Sequence, residues 1–264
     1  MKTRWTSLVL AALCLAALPS VTALAESHEE AEAPAGPVFR PIEIYACNFN
    51  EGQTMADLME VTAGWNAWMD EQGMTDYWAT LLVPVYRSAE ITFDVGWAGG
   101  WPNGAAMAAG TESWINNGGE HQAAFERVVD CNVHINFAVL TVQENPHPFT
   151  PGPVAFTDCT VEEGAEMSAA IEAVHQWAAH EGAARGHFVL FPAYGEASDA
   201  EYDFKWVSVS SYETLGSAYD AFTTGGGWRK SGELFDGVLD CDSSRIYHGM
   251  NVRKPDIGER TDAE

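Results

Sequence analysis

The stretch Cys47-Asn-Phe-Asn-Glu-Gly52-Gln-Thr-Met55 returns 112 residues later as Cys159-Thr-Val-Glu-Glu-Gly164-Ala-Glu-Met167, with cysteine, glycine and methionine at the same steps. Trp65 and Trp177 keep that offset. Farther on it drifts to 108–110: Pro84 and Tyr86 match Pro192 and Tyr194, Asp94 and Trp97 match Asp203 and Trp206, and Asp130-Cys131 matches Asp240-Cys241. Self-similarity of this kind makes each copy one folding unit.

Within the first copy, Pro41–Cys47 sets Ile42, Ile44 and Ala46 against Glu43, Tyr45 and Cys47, an alternation that predicts a strand. Met55, Leu58, Met59, Thr62, Trp65 and Met69 then recur at helical spacing, and Met167, Ala170, Ile171, Val174 and Trp177 fall at the same steps in the second copy. Two β-rich segments follow (Tyr77–Val85 and Ile91–Trp97; His187–Phe191 and Tyr202–Val209), then helical stretches broken at Asn116-Asn-Gly-Gly119 and Gly225-Gly-Gly227. Each copy closes on a strand, Asn132–Gln143 and Ser243–Val252, so the expected order per copy is β-α-β-β-α-β.

That order is the split βαβ, ferredoxin-like unit, with both helices on one face of a four-stranded sheet. The expected fold class is therefore α+β, with two tandem units packed sheet to sheet. At this point the chain resembles the dimeric α/β-barrel superfamily, which includes antibiotic-biosynthesis-type monooxygenases, stress-responsive barrels and haem proteins of the chlorite-dismutase kind. The resemblance rests on element order and duplication and implies an internal pseudo-dimer. It carries over no active-site residue.

Residues 1–25 read as an export signal: Lys2 and Arg4, an apolar run from Leu8 to Leu18, and the small-residue site Ala23-Leu24-Ala25. The run is shorter than the roughly 20 residues that span a bilayer. Residues 26–36 read as an acidic disordered leader, 37–145 and 146–254 as the two repeats, and 255–264 as a polar tail. The expected location is periplasmic or secreted. The net charge of −25 becomes −27 once Lys2 and Arg4 are removed. Such a chain has few cations with which to displace phosphate counterions or to adhere to anionic lipid, which argues against nucleic-acid and membrane partners. The charge serves solubility or, alternatively, a cationic partner.

Four cysteines remain after the export signal, an even count in an exported chain, and four cysteines allow three pairings. In a ferredoxin-like unit the first and last strands are antiparallel neighbours, which favours Cys47–Cys131 and Cys159–Cys241. No CxxC and no CxxCH occurs, so neither a metal nor a cofactor is expected.

For chemistry, His134 and Asn136 alternate with Val133, Ile135 and Phe137 on the last strand of the first copy. If the apolar set packs on the helices, the polar pair faces the space between the sheets, where His134 could act as general base or bind haem. Asp94 and Asp203 hold equivalent places on the third strand, with Lys205 a candidate ion-pair partner for Asp203. Trp101 and Trp228, beside glycine-rich segments that more simply serve helix breaks and turns, are candidates for the rim of a ligand mouth. The copies differ at the best of these sites, because Ser244 stands in place of His134 and His248 lies four residues later.

The reading that follows is an exported, non-catalytic binding or assembly module that holds a small apolar or aromatic molecule between its sheets. The alternative is a cofactor-independent monooxygenase or isomerase with His134, Asn136 and Asp94 in its site.

Overall fold

The computed structural model describes residues 37–255; the export signal, the acidic leader and most of the tail fall outside the described residues. The elements run β1 (Phe39–Phe49), α1 (Met55–Glu71), β2 (Trp78–Tyr86), β3 (Val95–Gly100), α2 (Gly104–Asn117), α3 (Gly119–Val128) and β4 (Val129–Gln143). The second half repeats them as β5 (Gly152–Val161), α4 (Met167–Glu181), β6 (Gly186–Tyr194), β7 (Phe204–Val209), α5 (Tyr212–Thr223), α6 (Gly227–Phe235), β8 (Leu239–Cys241) and β9 (Arg245–Arg253). The last strand is one unbroken piece in the first half and two pieces in the second. At the break Asp242 interposes, its carboxylate accepting from Asp158 N at 2.9 Å.

All pairings are antiparallel. The order β4-β1-β3-β2-β9-β5-β7-β6 closes on itself through β4–β6, giving an eight-stranded barrel with β8 beside β5. The two halves therefore meet edge to edge, at the β2–β9 and β4–β6 seams, rather than as stacked sheets. Closure removes the open sheet edges that would otherwise present unpaired N–H and C=O groups.

A strand in this barrel has two apolar neighbours, which explains the sequence patterns. One face supplies the barrel interior, where Leu82, Ala98, Phe137, Val139, Val154, Leu190, Val207 and Tyr247 pack from both halves. The other lies under the helices, where Cys47, Leu58, Leu81 and Val95 pack with Val128 and Val129. Of the α1 stripe, Leu58, Thr62, Trp65 and Met69 are core, together with Trp68, whereas Met55 is half-buried and Met59 is exposed. In α4 the buried set is Ala170, Ala173, Val174, Trp177 and Ala178.

Both disulfides join the expected partners, Cys47–Cys131 across β1 and β4 and Cys159–Cys241 across β5 and β8. The seams are tied by mirrored contacts. Gln143 at the end of β4 donates to the carbonyls of Gly182 and Arg185 beyond α4, at 2.9 and 2.6 Å. Arg253 at the end of β9 donates to the Asp70 carboxylate and the Met74 carbonyl beside α1, at 2.7 and 2.8 Å. No described helix is long and apolar enough to cross a membrane.

Gly99 and Gly100 do not form a turn, contrary to expectation. They lie in β3, where a Cβ on Gly99 would overlap the Tyr77 hydroxyl and one on Gly100 would overlap the Trp78 ring. Gly226 does serve as a helix break, with φ of +87° at the start of α6.

Candidate functional site

Glu43 sits in β1 opposite Gly99 of β3 on one side and Asn136 of β4 on the other. Because Gly99 has no side chain, Tyr77 reaches across β3 and donates its hydroxyl proton to Glu43 Oε1 at 2.7 Å. Trp97 Nε1–H donates in turn to the Tyr77 oxygen at 3.0 Å. Tyr45 donates to Glu43 Oε2 at 3.3 Å, and His134 Nε2 lies 3.0 Å from the same oxygen. The imidazole stacks on the Tyr45 ring at 3.8 Å between centroids and 11° between planes.

One carboxylate thus gathers two phenols and an imidazole, backed by an indole. Burial, then the Glu43 charge, pushes the Tyr77 and Tyr45 hydroxyls well above the ordinary phenol range, so both stay protonated donors. A carboxylate only accepts, so the His134 nitrogen that faces Glu43 is an Nε2–H donor, and Nδ1 points away from that bond. The His134 side chain is 51% exposed and Glu43 19%. A half-exposed base aligned by a shielded carboxylate is an arrangement that can take up a proton.

The cluster lies on the helix-facing side of the sheet, which corrects the expectation for His134 and Asn136. Their neighbours Ile135 and Phe137 pack into the barrel, so the polar pair faces the helices, and Asn136 donates to Met107 Sδ of α2 at 3.4 Å. Side chains from both halves pack together in the barrel interior, where the ligand space was expected.

Asp94 is not part of this cluster. It is exposed just before β3, accepting from Phe49 N at 3.1 Å, and Asp203 does the same for Val161 N at 2.7 Å. These duplicated aspartates fix strand ends. Lys205 pairs not with Asp203 but with Asp158, at 2.6 Å, and lies over the Tyr202 ring at 3.7 Å. Arg245 grips the other Asp158 oxygen at 3.0 Å, and Tyr202 hydrogen-bonds Glu196. Trp101 is buried against Tyr77, with ring centroids 4.4 Å apart, and is not on a rim. Trp228 is half exposed, with the Arg229 guanidinium 4.3 Å above its ring.

A second buried polar group lies in the other half. His187, 1% exposed, accepts the Trp206 indole N–H at Nδ1 at 3.2 Å, so its own proton is on Nε2. That nitrogen faces Glu181 Oε2 at 3.2 Å, within ion-pair distance but off the line of a hydrogen bond. Arg185 donates to Glu181 Oε1 at 2.6 Å and to Ser208 Oγ at 2.8 Å. Burial opposes ionisation of Glu181, but His187 and Arg185 outweigh it and hold the carboxyl below its ordinary value.

Because the folded value is depressed, the contribution of Glu181 to stability is complete above the ordinary value of 4.5 and is lost as pH falls below it. Glu181→Gln should cost about 3 kcal/mol at neutral pH, since it leaves Arg185 uncompensated, and the gap from wild type should narrow on acidification. Denaturant titrations at pH 7 and pH 3 check this; an equal gap at both refutes the assignment.

Glu43, Tyr77, Glu181 and Arg185 carry no motif in the sequence. The only available signal is that positions matched by the repeat differ chemically, as Tyr77 and His187 do beneath the matched pair Trp97 and Trp206.

No family model and no curated protein matches the chain. Solved structures do. A candidate monooxygenase from Fusobacterium nucleatum aligns over 82% of this chain and 94% of its own, with a TM-score of 0.53 and 7% identity. A chlorite dismutase from Candidatus Nitrospira defluvii aligns over 81% and 91%, with a TM-score of 0.49 and 6% identity. A haem-binding protein from Thermus thermophilus aligns over 83% and 94%, with a TM-score of 0.48 and 9% identity.

The likeness defines the fold as that of the dimeric α/β barrels. It also overturns the expectation of a non-catalytic binding or assembly module: the Fusobacterium chain, which shares this barrel, is described as an enzyme. At His134, Nε2 is engaged with Glu43, so Nδ1 is the ring nitrogen left to meet a haem iron or a substrate.

Proposed function

We propose that the protein is an enzyme of the cofactor-independent monooxygenase or isomerase type, with His134 as general base. The observation that carries this is the chain Trp97–Tyr77–Glu43–His134, which fixes a half-exposed imidazole in one tautomer. Glu43 and Tyr45 are positioning residues, the first holding the Nε2 proton and the second supporting the ring plane. Asn136, next but one on the same face of β4, is placed to hold a substrate oxygen.

The substrate class is a small aromatic carbon acid. Nδ1 takes a proton from an activated C–H, leaving the electron pair on carbon. An isomerase returns the proton at a second carbon. In the monooxygenase variant the carbanion reduces dioxygen, so that a CH2 and O2 become C=O and H2O. The chain is read as two ferredoxin-like units, 37–145 and 146–254, exported and stapled in the periplasm or outside the cell. Support comes from the contiguous strand orders β4-β1-β3-β2 and β9-β5-β7-β6 and from the two disulfides.

The test is solvent deuterium uptake by anthrone and by 1,3-diketones, followed by NMR, with oxygen consumption recorded in parallel. His134→Gln should slow exchange by about 10²–10⁴-fold and Glu43→Gln by a smaller factor, both variants remaining folded. Exchange that proceeds equally in wild type and His134→Gln rules the base out.

A further inference from the structure

The face of the sheet that carries His134 does not end with the first half. Strand β4 lies at a seam, paired with β1 on one side and with β6 of the second half on the other. Residues opposed across an antiparallel pair share a face. Asn136 pairs with Glu43 of β1 and with Tyr194 of β6, so carboxylate, amide and phenol stand in one row. His134 pairs with Tyr45 in the adjoining row. Opposite Phe137 and Asn136 the second half steps from Pro192 to Tyr194, passing over Ala193. This bulge turns Tyr194 out of the interior alternation and onto the helix-facing side with Asn136.

The other seam is built on the same plan with different groups. Tyr86, the copy of Tyr194, pairs with Ile246 after the same one-residue step, and Ile246 pairs with Ala155 of β5. Ala155 holds the place of Glu43, and Thr157 and Ser244, hydrogen-bonded at 2.7 Å, hold those of Tyr45 and His134. The tyrosine is therefore common to both seams. Beside it stand an acid, an amide and a base at one seam, and alkyl groups and hydroxyls at the other.

The link that follows the tyrosine differs as well. Gly195 comes after Tyr194, whereas Arg87 comes after Tyr86. A Cβ on Gly195 would lie 2.5 Å from the His134 carbonyl oxygen, so the chain leaving β6 runs against the backbone of His134 itself. Tyr194 is thus anchored next to the base, yet it is 69% exposed and belongs to none of the core clusters of either half. Directly opposed residues have Cβ atoms about 4.5–5.5 Å apart and diagonal ones about 7–8 Å apart, within reach of an aromatic side chain. The Tyr194 ring can therefore close over Asn136 and meet a flat group held against His134, its diagonal neighbour. Covering the ring removes apolar surface from water, and a second aromatic ring laid on it adds to that gain.

We infer that the site is composite, and that Tyr194 of the second half selects an aromatic substrate by packing on its ring while His134 of the first half faces the reacting carbon. The inference rests on the reading of His134 as a base and adds to it a contact from the other copy.

Benzoylacetone, which carries a phenyl ring, and acetylacetone, which carries none, are the probes. On the full chain, solvent deuterium exchange gives kcat and KM, and saturation-transfer NMR gives Kd. Tyr194→Ala should raise KM and Kd for benzoylacetone about tenfold, with kcat held and acetylacetone unaffected. Tyr194→Phe should restore the wild-type values, because the ring and not the hydroxyl makes the contact. Tyr86→Ala, the same truncation at the seam without a base, should behave as wild type does. His134→Gln should slow exchange but keep its affinity for benzoylacetone. Tyr194-dependent binding in a protein that exchanges neither diketone would remove the base and leave the aromatic contact standing. Exchange that depends on His134 but keeps the same KM and the same preference in Tyr194→Ala overturns the inference and leaves the base. A wild type that binds benzoylacetone no better than acetylacetone overturns it too.

Discussion

Replacing all four bridging cysteines by serine should bring the barrel to the limit of stability. Cys47–Cys131 closes a separation of 84 residues and Cys159–Cys241 one of 82. In the chain-entropy account, loops of that length are worth about 4–5 kcal/mol each. Together that is comparable to the whole folding free energy of an ordinary domain, about 5–15 kcal/mol. The bridges matter more here than their number suggests, since each joins the first strand of a half to its last and so ties the ends of everything between. Single-bridge variants should each unfold at lower denaturant, and the quadruple variant should be largely unfolded at 37 °C. Circular dichroism melts of the four forms test this. A quadruple variant that melts within a few degrees of wild type would mean that the closed barrel alone supplies the stability.

The second large effect is expected at a residue with no side chain. Gly99→Ala puts a methyl group where the Tyr77 hydroxyl lies. The tyrosine must swing away, and neither Trp97 Nε1 nor Glu43 Oε1 has another partner at hand. Overpacking costs about 1–3 kcal/mol and leaving buried polar groups unpaired a further 1–3, so the total is about 2–6 kcal/mol. Glycine-to-alanine changes at open positions do nothing of the kind. Gly64→Ala in α1, where nothing lies within 4 Å, is the control and should be neutral or slightly stabilising. If the two variants melt together, Tyr77 does not depend on the gap above Gly99. Tyr77→Phe separates the parts, since it removes the hydroxyl without the clash and should cost only the hydrogen-bond share.

How far the sequence carries the reader depends on which rule each residue obeys. The cysteine pairing was legible because it follows from strand order alone, and strand order follows from the duplication. The helix of Met55, Leu58, Trp65 and Met69 was legible because a period and an identical second copy agreed. The face of His134 was not. Alternation on a strand says that two sides differ, but a barrel strand under helices is covered on both, and the apolar set Ile135 and Phe137 fits the interior as well as the helix side. Asp94 and Asp203 misled for another reason: they repeat, sit beside a strand and carry charge. Only the register reveals that each serves the backbone N–H of a neighbouring strand. Glu43 stands in the sequence only as one of the set Glu43, Tyr45 and Cys47 that alternates with Ile42, Ile44 and Ala46, because nothing local indicates that Tyr77, 34 residues away, ends on it.

A homodimeric barrel is bound by its symmetry, since every substitution in one subunit appears in the other. Joining the halves in one chain lifts that restriction. Here one half has Trp68, Met69 and Trp101 where its twin has His180, Glu181 and Ser210. Covalent linkage lets the two copies of one architecture differ, so that the Glu43–His134 cluster stands in one half without a mirror image in the other.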